Sequence, residues 1–560
     1  MNVNKSFIFH LVFIVLLGLL GGCSQKKGNR GVVVSVHPIA SQIGLEVLKE
    51  GGNAVDAAVA TGLALGVVNQ FSSGIGGGGF MVIRTVDGTI YAVDGREKAP
   101  AAATRDMYVE DGEVNTALSR NGPLAVAVPG ILAAYEKALE LAGTQPLSEL
   151  IRPSVQVAEN GFLLDTSYVS HYRGTIEELR KDPASSATYF HPDGSPLKEG
   201  DIFNQRDLAE TYRRIGEEGT DYFYRGDFAR KLAAYMAENG GLLTFSDMAS
   251  YEAVAREPVI SRYRNFEIIG MGPPNSGGVH LAQLLNMTEI SGILDGRSPW
   301  DEKSIFFVSR FMAKAFEDRA EHLGDIDFYP VPIAQLTSRS YADSVVSEIM
   351  VQEQLAGGHL VGSLEAGHTT NFCVIDPWGN AVAVNQTVNL TYGAKVTVPG
   401  TGVVLNCEMD DFSARPGVPN YFGLLGSEAN AIEPGKRPLS SMSPTIVVNG
   451  DRPVMILGGA GGPRIITAIL QVMINYLDFK MSLAQALGHP RFHHQFIPET
   501  LFMEEMMVHP FREGQEQRGQ KVALRKSLGR IQAIAWSEEE KEYVGVSDPR
   551  SGNGSVAYIR

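Results

Sequence analysis

Apolar and polar positions change their period several times along the chain, and each change marks an element. From Gly31, "GVVVSV" predicts a strand, and "IASQIGLEVLKEGG" predicts a helix closed by a Gly-Gly stop. Asn53 then stands as a cap before "AVDAAVATGLALGVV", a helix apolar nearly all round and so predicted to be buried. After it come "SSGIGGGGF", the strand "MVIRTV", a turn at Asp87-Gly88 and the strand "TIYAVD". From about Ser148 to Gln352 the pattern is mostly helical with charged faces, as in "DLAETYRRIGEEG" and "DFARKLAAYMAENGG". From Thr370 onward strands dominate, interrupted by the helix "RIITAILQVMINYLD" and a shorter one around Leu483 to Leu487. No internal repeat and no low-complexity linker divides the chain. The strict strand–helix–strand rhythm of a doubly wound sheet is missing, so the pattern favours an α+β sandwich of antiparallel sheets and helices.

Within that pattern "EAGHTTNFCVIDPWGNAVAVNQTVNLTYG", Glu365 to Gly393, is unusual. A flexible approach ends at His368, two threonines follow, and the chain drops at once into a strand, a turn and a second strand. A threonine at a strand entry is ordinarily a β-former or a cap. A hydroxyl is a weak nucleophile near neutral pH and needs an adjacent base. Cleavage between His368 and Thr369 would give Thr369 its own base, a free α-amino group of ordinary pKa about 7.7 to 8.0. No catalytic histidine is then required, and none of the twelve histidines sits in a triad setting.

Two glycine-rich stretches offer chemistry of their own. "GIGGGG" matches a dinucleotide fingerprint at Gly74, Gly76 and Gly79, with Asp94 about twenty residues on. That fingerprint works only with a strand before the glycines and a helix start after them. Here the predicted order is helix, glycines, strand, which points instead to close backbone approach at a sharp turn. "GGAGGPR", Gly458 to Arg464, does lie between a strand and a helix but lacks the Lys-Ser/Thr of a phosphate loop. It keeps backbone amides at a helix start, a setting suited to a developing oxyanion.

Composition changes the picture mainly by exclusion. The 560 residues carry 48 Lys plus Arg against 63 Asp plus Glu, a net charge of -15 that repels polyanions and argues against nucleic acid as a partner. At the N-terminus Lys5 precedes an apolar run from Phe7 to Leu20, and "LGGC" closes it before Cys23. The run suits a signal-peptide core and is short for a membrane span. It resembles a bacterial lipoprotein signal, residues 1–23, which implies lipidation of Cys23, a tether over residues 24–30, and, with Ser24 next, an outer-membrane location facing the periplasm. Membrane contact would then be through the lipid anchor alone. Cys373 and Cys407 could pair, but two cysteines make no disulfide framework, and they read as small buried residues.

A resemblance carries the reading further. "TTNFCVIDPWGNAVAVNQTVNLTYG", "LNCEMDDFSARPGVPN", "KRPLSSMSPTIVV", "GGAGGPRIITAILQ" and "HPRFHHQ" resemble the small subunit of the γ-glutamyltransferases (glutathione hydrolases). "EVLKEGGNAVDAAVATGLALG", "SSGIGGGGFM", "DGREKAPAAATRDMY", "GPPNSGG" and "SDPR" extend the likeness, in order, from about Gly31 to Arg550. It implies a four-layer αββα sandwich, the N-terminal-nucleophile hydrolase fold, in a precursor that cleaves itself into a large subunit, residues 31–368, and a small catalytic subunit, residues 369–560. It also implies chemistry without cofactor or metal. Thr369, freed by cleavage after His368, would attack the γ-glutamyl amide of glutathione or related compounds, and the acyl group would pass to water or to an amino-acid or dipeptide acceptor. By the same resemblance Thr387 assists processing, Gly461 and Gly462 form the oxyanion hole, and Arg96, Ser440 and Ser441 receive the substrate α-carboxylate. Asn389, Glu408 and Asp411 would receive the α-ammonium.

Several positions depart from the family pattern. Asn371 and Cys373 replace histidine and serine after the nucleophile, which predicts an altered processing rate. Cys407 replaces asparagine beside Glu408, and "VNQFSSG" predicts an altered site wall. Phe422 stands where the lid segment from Pro416 to Lys436 usually carries tyrosine, which predicts a closed lid with one gating hydrogen bond fewer. Two alternatives stay open: an acylase for glutaryl or poly-γ-glutamyl substrates on the same scaffold, and an unprocessed lipoprotein that binds γ-glutamyl compounds without turnover. The ammonium set argues against glutaryl groups, the lid against a bulky polymer, and the threonine pair against mere binding.

Overall fold

The structure is a computed structural model that describes residues 31–296, 299–351 and 369–559. Cys23, the tether and His368 lie outside the described residues. Two antiparallel sheets form the centre. The first has seven strands in the order Ser555–Tyr558, Val32–Ser35, Thr369–Ile375, Ala381–Thr387, Gly78–Arg84, Ile90–Gly95 and Val254–Arg256. The second has six, in the order Glu542–Ser547, Arg530–Ser537, Arg452–Ala460, Thr445–Asn449, Phe266–Gly270 and Val259–Tyr263. Strands Thr369–Ile375 and Ala381–Thr387 lie face to face with Arg452–Ala460. Helices Pro38–Lys49, Ala54–Val68 and Ile131–Ala142 cover the first sheet, and Gly277–Ser291, Arg464–Leu477 and Leu483–Gly488 cover the second. This is the expected αββα sandwich.

The layers follow from the sequence pattern. Helix Ala54–Val68 has every residue buried, as its all-round apolar surface predicts, and starts with a capping box in which Asn53 and Asp56 satisfy each other's backbone amides. Strand Thr369–Ile375 is likewise buried along its whole length because it has a helix on one face and the other sheet on the opposite one. The glycines from Gly74 to Gly79 run from helix to strand with no helix start after them, so the nucleotide reading fails on geometry. Gly76 and Gly77 are pressed against the carbonyls of Val404 and Thr387, where a side chain would collide.

Helix Glu505–Gln517 was not expected, because Pro510 and Gly514 sit inside it and both oppose helix. The "HPRF" and "SDPR" motifs prove to be structural: Arg491 and Asp548 pair at 2.6 Å with both side chains at most 1% exposed, and Arg550 adds Glu504. Cys373 and Cys407 are both buried and unpaired with each other. No helix among the described residues is long and apolar enough to cross a membrane.

Candidate active site

Strand alternation decides which threonine faces the cavity. Thr370 and Phe372 face helix Ala54–Val68: Asn69 donates to the Thr370 hydroxyl, and Phe372 packs against Gly62. Thr369, Asn371 and Cys373 therefore face the space between the sheets. Thr369 is directly opposite Thr387 in the strand pair, and their Oγ1 atoms are 3.4 Å apart. Thr387 Oγ1 also accepts the backbone N–H of Asn389 at 2.8 Å. Asn389 holds a positive φ of 73° and donates from Nδ2 to the Cys407 carbonyl at 2.9 Å, which ties the second threonine to the loop of Glu408.

That loop, the 3₁₀ turn Glu408–Asp411, presents two acids to Arg96. Arg96 is fully buried and clamped at every level. Its backbone N–H donates to Asp94 at 2.8 Å, its carbonyl accepts Tyr251 Oη at 2.7 Å, and its Nε donates to the Pro438 carbonyl at 3.0 Å. The guanidinium pairs with Glu408 and Asp411, and Glu97 stands 3.4 Å away. Burial works against charge on Arg96, but these three carboxylates outweigh it and hold its pKa above the ordinary value. Glu97 and Glu408 are both pushed up, chiefly by burial; Glu408 further opposes ionisation of Glu97, and Asp411 opposes that of Glu408.

Ser440 and Ser441 reach the cavity from a segment braced by "GPPNSGG". Ser276 donates to the Ser440 carbonyl, and the Ser440 N–H donates to that of Pro274, both at 2.8 Å. The buried Ser441 Oγ has no hydrogen-bond partner, a donor left available to a ligand. Gly461 and Gly462 follow strand Arg452–Ala460 with φ of 134° and 62°, conformations that favour glycine. Arg464 Nε donates to the Gly461 carbonyl at 2.8 Å, so the trans peptide leaves the Gly462 N–H on its opposite side. Phe422 and Leu424 close the cavity from above.

One cavity thus gathers Thr369, Thr387, Arg96, Asn389, Glu408, Asp411, Ser440, Ser441 and Gly462. Its free volume is about 20 Å³, room for one water. A larger open groove of about 870 Å³ lies between helices Pro38–Lys49 and Leu147–Asn160 and contains none of these groups.

A model of the family described as gamma-glutamyltranspeptidase matches residues 40–558. The chain belongs to this family. The glutathione hydrolase proenzyme of Escherichia coli (strain K12) is 41% identical over 538 residues, which cover 94% of this chain and 91% of that one. Among solved structures, gamma-glutamyltranspeptidase of Helicobacter pylori is 41% identical over 56% of this chain and 90% of its own, with a TM-score of 0.54. A cephalosporin acylase from Bacillus halodurans is 26% identical and covers 95% of this chain and 96% of its own, with a TM-score of 0.82.

Against the transpeptidase pattern, several departures have specific outcomes. Asn371 Nδ2 and Cys373 Sγ both approach the Gln532 carbonyl, at 3.5 and 3.4 Å, so they join the two sheets. No residue of "VNQFSSG" lines the cavity: Asn69 supports Thr370, Gln70 accepts from Tyr189, and Phe71 stacks on His171. Phe422 has no hydroxyl, yet its backbone is held: its carbonyl accepts Gln495 Nε2 at 2.9 Å and its N–H donates to Asn420 at 3.0 Å. Sequence reading missed Glu97 and Arg319, the second of which also lines the cavity. Their only signals were adjacency to Arg96 and a charged helical run, which ordinarily means a solvated face.

Proposed function

We propose that the chain is a self-processing γ-glutamyltransferase and glutathione hydrolase with Thr369 as nucleophile. The observation that carries this reading is the Thr369–Thr387 hydroxyl pair at 3.4 Å, opening onto a cavity that holds both signs of charge and the Gly462 amide. In the precursor, Thr369 Oγ attacks the carbonyl carbon of His368, the C–N bond breaks as an ester forms, the hydroxyl proton passes to the departing nitrogen, and water hydrolyses the ester. In the processed enzyme the same oxygen attacks the γ-glutamyl carbonyl while the α-amine accepts its proton. The amides of Gly461 and Gly462 receive the oxyanion, and the amine returns the proton to the leaving nitrogen. Water or an amino-acid or peptide acceptor then takes the acyl group.

Arg96, Ser440 and Ser441 serve the substrate carboxylate in this scheme, and Asn389, Glu408 and Asp411 the ammonium. Because Arg96 is already paired with both acids, substrate binding is an exchange of ion pairs and not the filling of an open site. A lipid anchor at Cys23 would place the enzyme in the bacterial envelope, on the periplasmic side of the outer membrane. The acylase alternative draws support from the cephalosporin acylase likeness, and the paired acids at the cavity oppose it for substrates without an amine. Incubation with a γ-glutamyl anilide, acid quench and peptide mass mapping test the scheme. A γ-glutamyl ester on Thr369 is expected, and turnover with the adduct on another residue contradicts it.

A further inference from the structure

Arg319 lies in the last turn of helix Glu302–His322, is 4% exposed, and lines the cavity beside Thr369 and the ion cluster. A guanidinium has five donors, and burying them unused is costly. Yet the hydrogen bond found for this one is long, from Nη2 to the Leu439 carbonyl at 3.5 Å, and its buried Nε has no partner. The contrast with Arg96 is sharp, since Arg96 has two carboxylates on its terminal nitrogens and a third nearby. Burial pulls Arg319 down to about 10, against the opposing pull of Asp411, so it remains a cation at neutral pH. Two guanidinium groups therefore line the cavity, Arg96 paired with Glu408 and Asp411 and Arg319 in no ion pair with either.

A donor with an α-carboxylate and an α-ammonium disturbs this arrangement. Its carboxylate competes for Arg96, and Arg96 cannot serve that carboxylate and both acids equally well. The donor's single ammonium can balance only one of Glu408 and Asp411, so the other acid would lose its counter-ion in a largely buried site. Resting on the γ-glutamyl reading above, we propose that Arg319 is a positioning residue that takes over Asp411 when the donor's carboxylate draws Arg96 away. It lets one arginine change partners without leaving a half-buried acid unpaired. The exchange makes Arg319 specific in its effect, because a donor without the carboxylate does not pull Arg96 and does not call on it.

The test compares two chromogenic anilides, γ-glutamyl and γ-aminobutyryl, the second of which keeps an amine and lacks the carboxylate. Processed wild-type enzyme and the variants Arg319→Gln and Arg319→Lys are assayed on both. Arg319→Gln is expected to lower kcat/KM for the γ-glutamyl donor by about ten- to a hundredfold, the range for a charge-assisted hydrogen bond, with most of the change in KM. The γ-aminobutyryl donor should change by less than about threefold, since no exchange is asked of it. Arg319→Lys should recover part of the loss, because the charge is kept and the fork is not. If Arg319→Gln does not self-process, Arg319→Lys carries the comparison with a smaller selective loss. An equal fall on both donors, or no fall on the first, overturns the exchange alone. A wild type that processes itself and cleaves neither donor overturns the γ-glutamyl reading, and the exchange with it.

Discussion

Gly462→Ala isolates the proposed oxyanion site. At φ of 62° a Cβ costs on the order of 1 to 2 kcal/mol of backbone strain. The new methyl would also lie 2.9 Å from Phe422 Cδ1, inside ordinary contact. The Phe422 ring cannot simply retreat, because Gln495 and Asn420 hold its backbone on both sides. Part of the strain must then move the Gly462 peptide itself. Misaiming one oxyanion donor costs roughly 2.7 to 4 kcal/mol, a fall of about 10² to 10³ in kcat. The assay is single-turnover acylation of processed enzyme by a γ-glutamyl anilide, with the denaturation midpoint recorded alongside to separate the modest loss of stability. Adding Phe422→Ala removes the collision and is expected to restore about tenfold, and the remaining deficit belongs to φ. Acylation within about threefold of wild type in Gly462→Ala would refute the reasoning, because the amide could not then lie at the reacting carbonyl.

Asp94→Asn is expected to destabilise the fold by about 3 to 5 kcal/mol in chemical denaturation, because it removes the counter-ion shared by the buried Arg437 and by Arg256, at 3.3 and 2.6 Å, and leaves Arg256 with Asp327 and Asp325 alone. Loss below about 1 kcal/mol would show that their other partners suffice. Asp410 tests the anchorage of the segment that carries Tyr421 and Phe422: Ser119 donates to it at 2.6 Å, the Tyr421 N–H at 3.4 Å, Arg120 stands 4.0 Å away, and burial pushes its pKa up to about 6. The folded state holds that proton more tightly than the unfolded chain does. Wild-type stability relative to Asp410→Asn should therefore fall, by at most about 3 kcal/mol, as pH rises from about 4 to about 6, and stay level above that. Melting curves of both proteins across this range check it, and a relative stability that rises with pH contradicts the assignment.

Much of the fold was legible because local pattern and tertiary role agree. The strand pair Thr369–Ile375 and Ala381–Thr387 announces itself by β-rich apolar runs on either side of "DPWGN", and helix Ala54–Val68 by its cap and unbroken apolar surface. Helix Glu505–Gln517 was hidden because Pro510 and Gly514 contradict a conformation that tertiary packing nonetheless maintains. The site divides in the same way. Thr369 and the Gly461-Gly462 pair could be found from chemistry at element boundaries, and the remaining positions were named only through family resemblance. No local rule brings Arg96 to Glu408 and Asp411, which are 312 and 315 residues away along the chain. The burial of Arg319 was equally invisible, since "FEDRAEH" reads as a solvated helix face. The cross-sheet contacts of Asn371 and Cys373 were not legible, because spacing shows which face a side chain takes but not that Gln532 waits on the opposite sheet.

The central claim is that Thr369 becomes a nucleophile by cutting the chain in front of itself. Intact mass of the purified protein beside its Thr369→Ala variant tests this most directly. The account predicts two fragments in the wild type, the smaller beginning at Thr369, and one uncut chain in the variant. A single uncut chain in both, or the same two fragments in both, would contradict it.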